Sequence, residues 1–145
     1  MRCPWVGLTL LAVSCGPSVH VEPYPEGSAW SVYRRIHRSQ GHLHGLFEEY
    51  YPDGTRAAVG RYRHGRRVGE WLEHWPNGQP RSRASYAGGR RDGTFTEWHE
   101  TGHKRFEGSW VRGERQGAWR YWGADGTPLA VEEWRGGTRV SIERP

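Results

Sequence analysis

Two groups of histidines have residue types and spacing that could support chemistry. Residues 99–103, HETGH, match H-E-x-x-H. On a helix this spacing places both imidazoles on one face to bind zinc, and the glutamate serves as the general base. His42 and His44 could bind a metal ion from one face of a strand, and His64 lies at a similar turn further along the chain. Whether either group can act in this way depends on the secondary structure that holds it.

An internal repeat of 24 residues sets that secondary structure. Four copies keep register without insertion or deletion, which identifies a repeat architecture. Each copy carries three glycines, two aromatic residues and one arginine at fixed places. The glycines are Gly45, Gly69, Gly93 and Gly117, then Gly54, Gly78, Gly102 and Gly126, then Gly65, Gly89, Gly113 and Gly137. The rings are Phe47, Trp71, Phe95 and Trp119, then Tyr62, Tyr86, Trp110 and Trp134, and the arginines are Arg67, Arg91, Arg115 and Arg139.

Each copy also contains two turn signals. The first turns include Asp53-Gly54 and Asn77-Gly78, dipeptides that favour hairpin turns because both residues tolerate positive φ. The second turns lie around Gly65 and its equivalents. Segments of about six to nine residues run between the turns, which is a normal strand length. We therefore expect an all-β fold, an elongated antiparallel sheet of stacked β-hairpins with a 24-residue repeat.

The repeat also predicts the domain boundaries. We place the repeat domain at residues 30–145, with a half repeat at 31–44 that would form an N-terminal capping strand. Full repeats follow at 45–68, 69–92, 93–116 and 117–140. Ser141 replaces the glycine expected after the last copy, and atypical ends are usual in repeat arrays because the end strand must face water.

The repeat register argues against zinc chemistry at residues 99–103. His99 aligns with Tyr51 and Trp75, and Gly102 is a first-turn glycine, so the motif wraps a hairpin turn and does not form a helix. We interpret the other histidines as exposed loop residues. No Ser/His/Asp triad can be assigned, and no helix follows the glycines to form a phosphate site. The sequence therefore predicts no enzyme activity, no cofactor and no metal.

The amino terminus resembles a bacterial lipoprotein signal. Arg2 precedes a short apolar run that is too short to span a bilayer, and small residues lead into Cys15. We expect a signal peptide at residues 1–14, lipid on Cys15, and a flexible linker at 15–29 because of its prolines and glycines. The other cysteine, Cys3, would leave with the signal.

The rings and the charges each allow two interpretations. The Phe47, Trp71, Phe95 and Trp119 row could be a platform on which sugars or bases stack, but we favour the core of the sheet, since the chain has little else to bury. The net charge is +5, almost all from arginine. Many of the arginines lie at the second turns. They predict either an edge that binds a partner or an edge whose charge only prevents aggregation. The arginines are Arg63, Arg66, Arg67, Arg90, Arg91, Arg112, Arg115, Arg135 and Arg139.

The repeat pattern resembles the MORN repeat in its variant form. Residues 69–71, 74–78 and 86–93 make the closest copy, and the resemblance covers Ser31 to about Arg139. It implies stacked hairpins in a curved sheet and a scaffold or binding role without catalysis. Many bacterial relatives carry the label of antitoxin component, and some eukaryotic relatives are linked to membranes or phospholipids.

These observations predict a binding or scaffold module on a lipid-anchored protein of the bacterial cell envelope, at the outer membrane in preference to the inner. Its basic edge would meet an unknown protein or an anionic envelope component, either lipid headgroups or polysaccharide. Nucleic acid is not an expected partner. The alternative is an antitoxin or immunity-like protein that binds a protein toxin.

Overall fold

The computed structural model describes residues 18–23, 33–39 and 42–145, with side chains from residue 42 onward. These residues form one antiparallel sheet in which the strands follow one another in chain order. The all-β fold and the succession of hairpins are as predicted. Within the described ranges no helix is long and apolar enough to cross a membrane. The strands are β1 Ser18–Pro23, β2 Tyr33–Ser39, β3 His42–Tyr50, β4 Arg56–Arg63, β5 Arg66–His74, β6 Pro80–Ala87, β7 Arg90–Trp98, β8 Lys104–Val111, β9 Glu114–Trp122, β10 Pro128–Arg135 and β11 Thr138–Glu143.

The second turns are the tight ones. Only two residues separate β4 from β5, and both have positive φ, 49° at His64 and 75° at Gly65. Positive φ at both central residues defines the type I′ turn, whose twist matches that of the paired strands. The same geometry recurs at residues 88–89, 112–113 and 136–137.

The first turns are wider, and of their Asp-Gly and Asn-Gly residues only the glycines adopt positive φ. Among residues 51–55 only Gly54 has positive φ, at 86°. The Gly54 amide donates to the Tyr51 carbonyl at 2.9 Å, and Asp53 Oδ1 instead accepts the amide of Thr55 at 2.8 Å. The Asp and Asn residues therefore act through their side chains, as in an Asx turn, and not through left-handed backbone.

A bulge at the opening glycine of the repeat positions the large rings. Val59 pairs with Leu72 and Arg61 with Val68, so residues 69–71 lie opposite Gly60 alone. Gly69 takes a φ of 66°, a conformation that favours glycine. The Trp71 ring consequently lies over Gly60, where an added Cβ would come within 2.2 Å of a ring atom.

The ring and the small residue beneath it vary together. Trp119 lies over Gly108 in the same way, with 2.3 Å between an added Cβ and the ring. Phe95, which is smaller, pairs with Ala84. Tryptophan thus lies over glycine, which has no side chain, and the smaller phenylalanine lies beside alanine, which has a methyl group. Close packing requires this match in size.

These rings form the core, on one side of the sheet that we call the ring face. Phe47 and Trp71 pack with Ala58, while Phe95 and Trp119 pack with Ala84. The second aromatic row of the repeat covers them; Tyr62, for example, meets Trp71 edge-on with 5.0 Å between ring centres. The interpretation of the row as core is confirmed, because its four rings are at most 6% exposed.

The ends of the sheet differ from the prediction. Strand β1 lies inside the segment 15–29 for which we expected a flexible linker, and it pairs with β2 from Ser18 to Pro23. Its valines alternate with other residues, and proline is tolerated because it stands at the last position of an edge strand. Strand β2 is therefore not the capping strand. The predicted signal peptide and Cys15 lie outside the described residues.

Candidate functional site

The H-E-x-x-H segment lies on a first turn, between β7 and β8. His99 Nε2 is 3.0 Å from the carbonyl oxygen of Trp122, one repeat further along the chain. The Gly102 amide closes the turn on the His99 carbonyl at 2.9 Å. The prediction that this segment wraps a hairpin turn is confirmed, and His99 acts there as a link between repeats.

That link belongs to a row of hydrogen bonds along the edge formed by the first turns, which we call the first-turn edge. Tyr51 Oη donates to the His74 carbonyl at 2.7 Å, and Trp75 Nε1 donates to the Trp98 carbonyl at 3.2 Å. Asn77 Nδ2 also donates to the Glu100 carbonyl at 3.1 Å. Side chains thus join each first turn to the next one.

Most cations near the first-turn edge have acidic partners, but Arg81 has no ion pair among the described residues and lies 5.0 Å from the centre of the Trp75 ring. Arg56 lies 3.5 Å from a carboxylate oxygen of Glu48, and Arg105 lies 2.7 Å from one of Glu97. Lys104 pairs with Glu107 at 2.6 Å. The positive charge on this side of the sheet is therefore largely neutralised within the chain.

The opposite edge, formed by the second turns, keeps its positive charge. Five of the predicted arginines are exposed there, and none of them has an ion pair with another described residue. The acids beside them are Asp92 and Glu114. We call this the second-turn edge, and its exposed arginines are Arg63, Arg66, Arg90, Arg112 and Arg135.

Three of the four repeat arginines, Arg67, Arg91 and Arg115, lie over the rings of the ring face. The guanidinium carbon of Arg67 lies 4.0 Å from the centre of the Trp71 ring. Arg91 lies 4.6 Å from Phe95, and Arg115 lies 4.3 Å from Trp119. A planar guanidinium stacks favourably on an aromatic face, and the ring face supplies such a surface beside each of them.

The fourth repeat arginine, Arg139, has a carboxylate instead of a ring. It donates to Glu132 Oε1 at 2.6 Å, while Tyr121 Oη donates to Oε2 at 2.7 Å. Trp134 Nε1 donates at 3.1 Å, and Arg115 lies 4.0 Å from the same oxygen. Burial works against the charged form, but these donors outweigh it and lower the pKa of Glu132.

A pocket of about 180 Å³ opens on the ring face in the second copy. Ala84 and Phe95 line its floor, Arg67 and Arg91 flank it on the second-turn side, and Glu73 lies on the other. Glu73 accepts a hydrogen bond from Ser82 Oγ at 3.1 Å. Neither Arg67 nor Arg91 has a carboxylate partner among the described residues.

Two of the other histidines, His44 and His64, contact one another. The rings of His44 and His64 are 5.1 Å apart and edge-on, and His44 Nδ1 accepts the amide of His64 at 3.5 Å. His42 is exposed at the start of β3. Within residues 18–23, 33–39 and 42–145, no three His, Cys, Asp or Glu side chains are grouped to hold a metal ion.

Sequence reasoning missed the role of Glu132 and of the pocket over Ala84. A signal for the former was visible, because Gly60, Ala84 and Gly108 occupy its position in the earlier copies. A buried position that changes from small to acidic indicates a new partner. The pocket was not visible, since it depends on the difference in size between the Phe95 ring and the neighbouring tryptophans.

Two comparisons bear on identity. The family model described as MORN repeat variant matches residues 43–64, 67–87 and 91–111. No curated protein matches the chain significantly. The three matched segments coincide with β3–β4, β5–β6 and β7–β8, so each one is a hairpin of the sheet.

Proposed function

Because the chain carries MORN variant repeats, we propose that it is a non-enzymatic binding module whose second-turn edge meets an anionic partner. MORN repeats indicate a binding or scaffold role for the sheet as a whole. The observation that carries the finer proposal is the difference between the two edges. Positive charge is mostly paired at the first turns, where Arg81 is an exception, and is left exposed at the second turns.

The repeat spacing strengthens such an edge. Successive second turns lie two strands apart, which is about 10 Å. That spacing is close to the screening length of about 8 Å at physiological ionic strength, so neighbouring turns act on the same anionic surface. Each exposed arginine contributes only about 1 kcal/mol near an anionic membrane, and useful affinity needs several turns together.

We also propose that the module lies at a membrane of the cell envelope. Lipid on Cys15 would hold the sheet at a membrane of the cell envelope, where lipid headgroups or acidic polysaccharide could be the partner. The support is the apolar run and the small residues before Cys15. Replacing Cys15 with Ala should move the protein out of the membrane fraction and abolish labelling by fatty acid. Unchanged labelling of that variant would show that the anchor lies elsewhere.

The edge is tested with two matched pairs of substitutions. Arg90→Gln with Arg112→Gln removes two charges from the second-turn edge, and Arg120→Gln with Arg144→Gln removes two exposed charges elsewhere. We expect the first pair to weaken binding to vesicles containing phosphatidylglycerol, or to an acidic polysaccharide, by about tenfold or more, because each contact contributes about 1 kcal/mol. The second pair should change binding less than threefold.

Two outcomes would contradict the edge proposal. Equal losses from both pairs would mean that net charge alone drives binding. No binding of the wild-type protein to either material, together with capture of a protein toxin, would favour the alternative, an antitoxin or immunity-like role.

A further inference from the structure

We propose that the pocket over Ala84 on the ring face binds a carboxylate from an acidic segment of a partner protein. This inference rests on the proposed role as a binding module, but its residues are separate from the second-turn edge. The pocket lies between Arg67 and Arg91, and its floor is Ala84 with the Phe95 ring.

The chain itself shows how such a carboxylate is held. Two repeats further on, Arg115 and Arg139 stand at the places of Arg67 and Arg91, and Glu132 stands at the place of Ala84. The Glu132 carboxylate lies between those two arginines, 4.0 Å from Arg115 and 2.6 Å from Arg139. In the fourth copy, the chain's own Glu132 therefore provides the carboxylate between the two arginines. The second copy has no acid at that place.

Side-chain size explains why the second copy is open. Gly60 of the first copy and Gly108 of the third each lie directly under a tryptophan ring, which leaves no room there for another side chain. Ala84 of the second copy lies beside the smaller Phe95 ring, and a pocket of about 180 Å³ opens at this place. That volume exceeds the roughly 30 Å³ that one water occupies in the liquid, so it admits a carboxylate with part of its side chain.

Charge and hydrogen bonding favour an anionic ligand such as a carboxylate. Arg67, Arg81 and Arg91 line the pocket together with Glu73 and Glu97, and Glu97 is already paired with Arg105 at 2.7 Å. Arg67 stacks between Trp71 and Tyr86 and donates to the Tyr86 hydroxyl at 3.4 Å. Stacking holds its guanidinium in place while other N–H groups stay available, the preorganised form in which arginine binds carboxylates.

The first experiment places the carboxylate within the chain. Ala84→Glu should place a carboxylate between Arg67 and Arg91, without the hydroxyl donor that Glu132 has in Tyr121, because Glu73 stands at that place. Ala84→Gln adds the same bulk without charge. We expect the melting temperature of Ala84→Glu to exceed that of Ala84→Gln by about 4–8 °C at neutral pH. In the background of Arg91→Gln the difference should disappear. Equal melting temperatures of the two variants, with Arg91 intact, would overturn the proposal.

The second experiment measures binding from outside. A fluorescein-labelled hexaglutamate peptide is titrated with wild-type protein and with folded variants, as judged by circular dichroism. Ala84→Glu and Arg91→Gln should each weaken binding at least tenfold. The second-turn pair, Arg90→Gln with Arg112→Gln, should weaken it less than threefold.

The two proposals fail in different ways. Loss of peptide binding only in the second-turn pair would reject the pocket and leave the edge proposal standing. Loss of vesicle or polysaccharide binding only in Arg91→Gln would reject the edge and leave the pocket. If Ala84→Glu does not fold, the comparison of Arg91→Gln with the second-turn pair still decides.

Discussion

The two edges of this sheet are made of the same number of turns per repeat, but they are built differently. At the first-turn edge, each turn is joined to the next by a side chain, as Trp75 is joined to the Trp98 carbonyl. At the second-turn edge, a backbone bond links the repeats, as the Gly89 amide donates to the Arg67 carbonyl at 2.9 Å, and side chains such as Gln116 add acceptors for amides of the next turn. The exposed arginine side chains of the second turns take no part in these links.

This difference separates stability from recognition within one repeat. A first-turn residue that changes loses a contact with the next copy, which restricts the residues that can stand there. A second-turn arginine can change without loss of such a contact. A repeat protein built in this way can alter its binding edge while its fold stays the same. The following changes test that separation, from the largest expected effect to the smallest.

Removal of Trp75 should have the largest effect. Trp75→Ala deletes a large ring, its hydrogen bond to Trp98 and its contact with Arg81, whose guanidinium lies 5.0 Å from the ring centre. We expect a loss of about 3 kcal/mol in the free energy of unfolding, measured in urea. Trp75→Phe keeps most of the ring and should cost about 1 kcal/mol. If Arg66→Ala at the second-turn edge costs as much as Trp75→Ala, the two edges do not differ as described.

Neutralising Glu132 should have the next largest effect on the free energy of unfolding, and this effect should depend on pH. The pKa of Glu132 is lowered in the folded protein, so its contribution is present above its unfolded pKa and is lost as the pH falls through the folded pKa. Glu132→Gln should cost about 2 kcal/mol at neutral pH, because it removes hydrogen bonds to a charged group. The difference from wild type should shrink below about pH 4. A difference that is the same at neutral and acidic pH would show that shape, and not charge, matters there.

Asn77 tests a single first turn. Asn77→Ala removes the acceptor for the Gln79 amide at 2.9 Å and the donor to the Glu100 carbonyl at 3.1 Å. Two exposed hydrogen bonds together should contribute about 1 kcal/mol to the free energy of unfolding. Asn77→Asp keeps the acceptor alone and should recover about half of the loss. Full recovery by Asp would mean that the link to the next repeat contributes nothing.

The smallest effect is a gain at a second turn. Gly88 has a φ of 56° and no atom within 4 Å of an added Cβ. Gly88→Asn creates the Asn-Gly pair that type I′ turns favour and restricts the unfolded chain, so we expect about 0.5 kcal/mol of added stability. An asparagine introduced at a first turn, Pro76→Asn, should give no gain, since residue 76 does not have positive φ and the substitution also removes a proline. Thermal unfolding of both variants measures the contrast.

The repeat register predicts most of this fold, because a 24-residue period with glycines at fixed places allows few alternatives to stacked hairpins. It placed His99 in a turn and Trp71 in the core, and both placements are correct. It did not distinguish Arg66 from Arg67, which are adjacent in sequence but lie on different surfaces. Successive residues of a strand point to opposite faces of the sheet, so Arg67 faces the rings and Arg66 does not.

The linker was mispredicted for a related reason. Prolines and glycines between residues 16 and 29 indicated irregular chain, and composition does not show that six residues between them can pair with a neighbour. Strand β1 pairs with the free edge of β2, and this edge exists only once the sheet has formed. The pocket over Ala84 was equally out of reach, since it arises from the packing of several rings.

The strand order has a consequence for how the chain folds. Each described strand forms hydrogen bonds only with the strands that precede and follow it in the chain, so no pairing joins distant parts of the sequence. Such local pairing gives a low contact order, which is unusual for an all-β protein and favours rapid folding. A hairpin that forms anywhere can serve as the template for its neighbours, and a growing chain can add strands in the order of synthesis.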